Sequence, residues 1–88
     1  MRLEDAQKLL RRPYVTERTF DQIEKENKIC FVVDDKASKP QIARAFEALY
    51  EAKVESVNTV RTVKGKKAFV RLLEANKAAE LASKMGLV

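Results

Sequence analysis

A lysine-rich turn in the C-terminal half of the chain could bind a polyanion. Lys64, Lys66 and Lys67 surround a single glycine, and Arg61 and Arg71 stand in the segments on either side. Ammonium groups gathered at one turn repel one another, and phosphate groups would relieve that repulsion. Lysine-rich turns also keep proteins soluble, so this turn alone leaves RNA contact and solubility as alternatives.

A second basic group lies near the N-terminus, where Arg11 and Arg12 precede Tyr14. Guanidinium groups offer paired N–H donors to phosphate, and a tyrosine can stack on a base or bind a 2′-hydroxyl. We expect irregular chain outside the core here; the alternative is a solvated linker with Tyr14 packed down. Lys36 and Lys39 form a weaker third group beside a predicted helix N-terminus, whose amides could add affinity for anions.

The residue types that most catalysis and metal binding require are scarce. The chain has no histidine, which removes the commonest general base and the commonest metal ligand. Cys30 stands in an apolar segment and is expected to be a small core residue. Asp34 and Asp35 are adjacent but have no further ligand at suitable spacing, so we expect them to shape a turn. The sequence predicts no enzymatic activity, no cofactor, no metal site and no small-molecule substrate.

Composition and length limit the class of protein. With 88 residues, 45% of them hydrophobic, the chain can close one modest core, so residues 1–88 are expected to form a single domain. Lysine and arginine number 18 against 13 acids, a net charge of +5 that favours polyanionic partners. The apolar run 29–33 is far shorter than the ~20 residues that span a bilayer. We therefore expect a cytoplasmic protein without membrane insertion, and a lone cysteine fits a reducing compartment.

Hydrophobic spacing predicts the N-terminal elements that position these groups. A short helix is expected over residues 3–10, and a second helix from about 17 to 26, with Thr16 as its N-cap and Asn27 as a left-handed stop. Residues 29–33 are apolar at every position, which is typical of a strand covered on both faces. We expect this strand inside a sheet with helices on both sides.

The middle of the chain carries a helix and a hairpin. Ser38 and Gln41 form a capping box for a helix whose apolar stripe recurs at helical spacing over residues 42–49. Residues 54–63 and 68–73 are rich in β-branched and aromatic side chains, and the lysine-rich turn separates them. These two segments predict a β-hairpin.

The last helix and the aromatic residues complete the predicted fold. Asn76 is the expected N-cap of a C-terminal helix, and Gly86 is its expected stop. Phe31, Phe46 and Phe69 all fall on predicted core faces, which argues against a sheet whose exposed aromatics stack bases. The fold class is α+β, with a mixed, mainly antiparallel sheet of three to four strands flanked by helices.

Five blocks carry a resemblance to a known family, and the likeness extends over nearly the whole chain. They are Leu10–Thr19, Asn27–Val33, Asp34–Pro40, Val54–Thr59 and Lys66–Leu72. In order and spacing they are similar to the family of large-subunit ribosomal proteins numbered twenty-three. The hairpin between Asn58 and Lys66 lacks the long basic extension of bacterial members and resembles the archaeal form.

The resemblance implies a structural constituent of the large ribosomal subunit. It implies binding to large-subunit rRNA beside the mouth of the polypeptide exit tunnel, and contact with neighbouring ribosomal proteins. It also implies a docking surface for nascent-chain factors such as the signal recognition particle. Glu17 matches the family's acidic docking residue, although the helix dipole also favours an acid at this position.

Two interpretations of the basic groups remain open at the level of the sequence. In the first, they neutralise rRNA phosphates while Asn58 and Thr59 reach sugars or base edges. In the second, the chain is a non-ribosomal protein-interaction or regulatory module with a ferredoxin-like sheet. An acylphosphatase-like hydrolase is a distant third, because no glycine-rich phosphate loop is present. The predicted RNA contacts are Arg11, Arg12, Tyr14, Lys36, Lys39, Asn58, Thr59, Arg61, Lys64, Lys66, Lys67 and Arg71.

Overall fold

The computed structural model describes residues 2–63, 65–73 and 77–86 as alternating helices and strands. In chain order the elements are α1 (Leu3–Leu9), β1 (Leu10–Pro13), α2 (Glu17–Glu26), β2 (Lys28–Val33), α3 (Lys39–Tyr50), β3 (Val54–Thr62), β4 (Gly65–Leu72) and α4 (Ala78–Lys84). Within these ranges each helix is too short or too polar to cross a bilayer. The α+β prediction is confirmed.

The four strands form one sheet in the order β1-β2-β4-β3. All three pairings between these described strands are antiparallel, so the parallel contribution implied by a mixed sheet is not found among them. The predicted hairpin is confirmed as β3 and β4, with Thr62 opposite Gly65 at its end. Gly65 has φ +127°, a conformation that side-chain-bearing residues avoid. Lys64, the remaining lysine of the predicted turn, lies outside the described residues.

Strand β1 corrects the prediction that residues 11–14 are irregular. Arg12 and Pro13 pair with the edge of β2, after a register shift that follows Leu10. Pro13 is tolerated because β1 is an edge strand, where one missing N–H need not break the sheet. The pairing is a long-range contact that the local sequence does not signal, and it fixes the orientation of Arg12.

The predicted N-terminal caps of α2 and α3 are confirmed. The Thr16 side chain accepts a hydrogen bond from the Thr19 amide at 3.2 Å, and the Thr19 hydroxyl oxygen accepts one from the Thr16 amide at 2.7 Å. Ser38 and Gln41 exchange the same pair of bonds at 3.3 and 2.9 Å. Each exchange satisfies two amides that a helix N-terminus leaves without partners.

The core lies between α3 and one face of the sheet. Phe31 of β2 meets Phe46 of α3 edge to face, with ring centroids 5.8 Å apart, and Tyr50 lies 4.9 Å from Phe46. Both phenylalanines are fully buried, as predicted. The other core residues of β2, α3 and β4 are Ile29, Val33, Ile42, Ala45, Ala68, Val70 and Leu72.

Asn27 joins three elements at the far end of α2. Its φ of 56° and ψ of 37° confirm the predicted left-handed stop. Its side-chain Nδ2 donates to the Leu72 carbonyl at 3.1 Å, and its Oδ1 accepts from the Ala78 amide at 2.7 Å. The end of β4 and the start of α4 are therefore held by one amide. The predicted cap Asn76 lies outside the described residues, while Gly86, with φ +78°, follows α4 as expected.

Candidate nucleic-acid interface

The face of the sheet opposite α3 carries polar and aromatic side chains in cross-strand rows. One row is Arg12, Val32, Lys67 and Val60; the next is Cys30, Phe69 and Asn58; the third is Lys28, Arg71 and Ser56. Paired residues on neighbouring strands point to the same side, so each row is a set of adjacent side chains. We call these three rows, together with Tyr14, the open sheet face.

Phe69 lies on the open sheet face, so the prediction that it packs in the core was wrong. In β4 the fully buried residues are Ala68, Val70 and Leu72, whereas Phe69 is only partly buried. Side chains alternate between faces along a strand, so Phe69 points to the same face of the sheet as Lys67 and Arg71. The period-two pattern of residues 65–72 therefore contained the signal that places this ring among charges.

Tyr14 and Lys67 form a cation–π pair on this face. The Lys67 Nζ lies 3.7 Å from the centroid of the Tyr14 ring. The Tyr14 amide donates to the Cys30 carbonyl at 2.9 Å, which extends the β1–β2 pairing by one residue. The ring is thus anchored by its own backbone, and it holds an ammonium group over the sheet. Tyr14 is part of the folded surface and does not belong to a solvated linker.

Cys30 lies beneath these groups and is a buried residue, as predicted. Burial raises the pKa of its thiol to about 11, and the nearby Lys67 ammonium partly offsets that rise. The thiol is therefore neutral at physiological pH and a poor nucleophile. Among the described residues no group of three potential ligands could hold a metal ion.

The cations of the open sheet face differ in their acidic partners. Lys28 Nζ lies 3.5 Å from Glu26 Oε1, and Arg71 Nε lies 3.9 Å from Glu55 Oε2. Over the described ranges, Arg12 and Lys67 have no carboxylate within ion-pair distance. Both are therefore available to an external anion, while Arg71 and Lys28 share their charge with an acid.

A second set of cations surrounds the loop between β2 and α3. Arg61 Nη2 donates to the Asp35 carbonyl at 3.1 Å, and Lys66 Nζ donates to the Ala37 carbonyl; the two residues pair across the hairpin. The Asp34 side chain accepts from the Lys36 amide at 2.8 Å, which confirms its turn-shaping role. We call the following residues the loop cluster: Arg11, Lys36, Lys39, Arg61 and Lys66.

The remaining predicted residues are placed separately. Thr59 pairs with Ala68, so it lies on the α3 side of β3 and is partly buried, away from Asn58. Glu17 is exposed in the first turn of α2. Sequence reasoning did not name Arg18, Gln22 and Lys28, which line a depression together with Lys67 and Phe69. Arg18 and Gln22 belong to α2 and Lys28 begins β2, so the local sequence gave no sign that they would meet.

Comparison with known proteins places this arrangement in a family. The model of the family described as ribosomal protein L23 matches residues 8–80. The chain belongs to the ribosomal protein L23 family. It is accordingly a structural, non-enzymatic protein of the large ribosomal subunit.

Individual members of the L23 family resemble the chain over almost its full length. It is 49% identical to the large ribosomal subunit protein uL23 of Methanobrevibacter smithii, over 94% of this chain and 98% of that protein. It is 47% identical to uL23 of Pyrobaculum aerophilum, over 91% of this chain and 100% of that protein. For uL23 of Haloarcula marismortui the identity is 45%, over 90% of this chain and 94% of that protein. The predicted likeness to the archaeal form is confirmed by these relatives.

Proposed function

We propose that the chain binds large-subunit rRNA through the open sheet face and the loop cluster. The observation that carries this proposal is the combination, on one side of the sheet, of unpaired cations with partly exposed aromatic rings. Cations supply affinity for phosphates, and aromatic faces accept unstacked bases, which is the pairing that RNA recognition uses. All 88 residues would act as one domain in the cytoplasm, bound to the ribosome.

The open sheet face suits folded RNA better than a small anion. Arg12 and Lys67 lie two strands apart in one cross-strand row, with Val32 between them, and Arg71 lies four positions further along β4. Strand residues four apart are separated by about 13–14 Å, which is about twice the spacing of successive phosphates in a nucleic-acid strand. The face can therefore contact several phosphates of one backbone at once.

The loop cluster offers a second set of phosphate contacts on a rigid support. The Lys66 ammonium has three donors, of which the Ala37 carbonyl takes one. Arg61 likewise uses Nη2 on the Asp35 carbonyl and keeps other N–H groups. Because both side chains are held in place, less side-chain entropy is lost when a phosphate binds.

We assign the exposed start of α2 to docking of nascent-chain factors at the mouth of the exit tunnel. Glu17 lies in the first turn of α2, whereas the loop cluster and the central rows belong to the sheet and its loops. Glu17 is exposed and does not line the depression beside Lys67 and Phe69, so it would stay free while the basic surfaces contact rRNA and neighbouring ribosomal proteins. The signal recognition particle is the factor that we propose docks here.

The salt dependence of binding to a large-subunit rRNA fragment tests the rRNA proposal. Neutralising about 4–6 phosphates should give a log–log slope of about 3–5, at roughly 0.7–0.9 per phosphate. Lys67→Gln should reduce the slope by about one phosphate contact, whereas Lys8→Gln, on the exposed side of α1, should leave it unchanged. A slope near zero, or equal affinity for random RNA, would refute the proposal.

The docking proposal is tested by co-sedimentation of the signal recognition particle with large subunits. We expect Glu17→Gln to lower the bound fraction and Glu24→Gln, at another exposed acid of α2, to leave it unchanged. Equal loss from both variants would indicate a general charge effect. No loss from Glu17→Gln would exclude this residue as the docking acid.

A further inference from the structure

A depression lies between α2 and the open sheet face, with a volume of about 520 Å³. This volume falls within the ~300–1,000 Å³ typical of small-ligand sites. Its lining includes Tyr14, Lys67 and Phe69 of the sheet side and Arg18 and Gln22 of α2. It is therefore large enough for one nucleotide and too small for a helical segment of RNA.

The aromatic part of this lining includes a phenylalanine that lies outside the core. Phe31 and Phe46 are fully buried, but Phe69 is left partly exposed beside Asn58 and Lys67. The exposed part of this ring forfeits hydrophobic stabilisation, which a stacked base would restore. Tyr14 is already covered by the Lys67 ammonium, so Phe69 is the ring that remains to accept a base.

The polar part of the lining can recognise a base edge. Asn58 is exposed and lies directly across from Phe69 in the β3–β4 register. The Gln22 side chain reaches the depression from α2, and its Oε1 is buried without a hydrogen-bond partner in the described part of the chain. Buried acceptors are normally satisfied, and the terminal torsion of glutamine is soft. A small rotation would let this amide pair with a donor in the depression.

We propose that the depression receives one unstacked nucleotide of the bound rRNA. Its base would stack on Phe69, the amides of Asn58 and Gln22 would contact the base edge, and Arg18 and Lys67 would hold its phosphate. This inference rests on the proposed rRNA binding and adds to it a specific site. It explains in one arrangement the partly exposed ring, the unpaired amide oxygen and the flanking cations.

The test compares two phenylalanine-to-leucine variants of the full chain. Phe69→Leu removes the ring of the depression, while Phe20→Leu makes the same change at a partly buried phenylalanine of α2 that does not line it. We expect Phe69→Leu to weaken binding to the large-subunit rRNA fragment about 5- to 100-fold, the range for losing a stacked base. The salt slope should stay unchanged, because no phosphate contact is removed. Phe20→Leu should change the affinity less than about two-fold.

The outcomes separate this inference from the proposed function. If the wild-type chain binds the fragment with a steep salt slope but Phe69→Leu binds equally well, the nucleotide site is wrong and rRNA binding stands. If the wild-type chain shows no preference over random RNA, both proposals fall. Should Phe69→Leu not fold, Asn58→Ala, at an exposed strand position, provides the same comparison and should also weaken binding at unchanged slope.

Discussion

Asn27 offers the sharpest test of how the fold is closed. Its side chain holds the Leu72 carbonyl and the Ala78 amide, and its backbone is left-handed. Each hydrogen bond contributes about 0.5–1.5 kcal/mol net, and a left-handed conformation costs an ordinary residue about 1–2 kcal/mol. Asn27→Ala should therefore lower the free energy of unfolding by about 2–5 kcal/mol.

Glycine at the same position separates the two contributions. Asn27→Gly keeps the left-handed backbone without strain, so it should lose only the hydrogen bonds, about 1–3 kcal/mol. Glu51 provides the matched control, since it is the other non-glycine residue with positive φ, at 53°, among the described residues. Glu51→Gly should stabilise the protein by up to about 1 kcal/mol, because backbone strain is relieved and no side-chain hydrogen bond is lost.

Urea denaturation followed by circular dichroism measures these differences at equilibrium. The reasoning predicts the order Glu51→Gly, wild type, Asn27→Gly, Asn27→Ala from most to least stable. If both Asn27 variants lie within about 0.5 kcal/mol of wild type, the amide does not hold the end of β4 and the start of α4. If the alanine and glycine variants are equally destabilised, the left-handed backbone is not a source of strain.

Three further changes follow from the same structure. Ser38→Ala should lower the free energy of unfolding by about 1 kcal/mol by removing a helix cap, as urea titration would show; no change would mean that Gln41 alone satisfies the N-terminus. Lys66→Met should speed amide exchange in residues 34–38, because the bond to the Ala37 carbonyl is lost; unchanged exchange would rule out that anchor. Burial raises the pKa of Cys30 from 9.0 in the unfolded chain to about 11 in the folded protein. The stabilisation linked to this shift is fully present below pH 9, and it should fall by about 1.4 kcal/mol per pH unit between pH 9 and about 11. The difference in stability between wild type and Cys30→Ala should shrink accordingly, and a pH-independent difference would contradict the assignment.

Residue type was enough to predict many members of the candidate site, but it did not show which of them lie together. Arg12, Tyr14, Asn58, Lys67 and Arg71 were all expected to contact RNA, and the register brings them onto one face. The sequence could not show that they share this face, because strand order joins residues far apart in the chain. The loop cluster lies elsewhere, around the loop between β2 and α3.

The misplacement of Phe69 has a specific physical cause. Its neighbours Ala68 and Val70 are apolar, and a run of apolar residues suggests burial at every position. Strand alternation overrides that suggestion, since Phe69 follows Lys67 in period two and must share its side of the sheet. Hydrophobicity alone therefore favoured the core, whereas geometry places the ring at the surface.

The sequence by itself determined the local elements: the capped starts of α2 and α3, the apolar stripe of α3 and the two strands of the hairpin. These depend on contacts within a few residues, so the chain encodes them directly. Only the tertiary structure decided that residues 10–13 pair with β2, that Asn27 ties β4 to α4, and that cations and rings meet on the open sheet face. Each of these depends on contacts between distant residues, whose partners become known only when the whole sheet has formed.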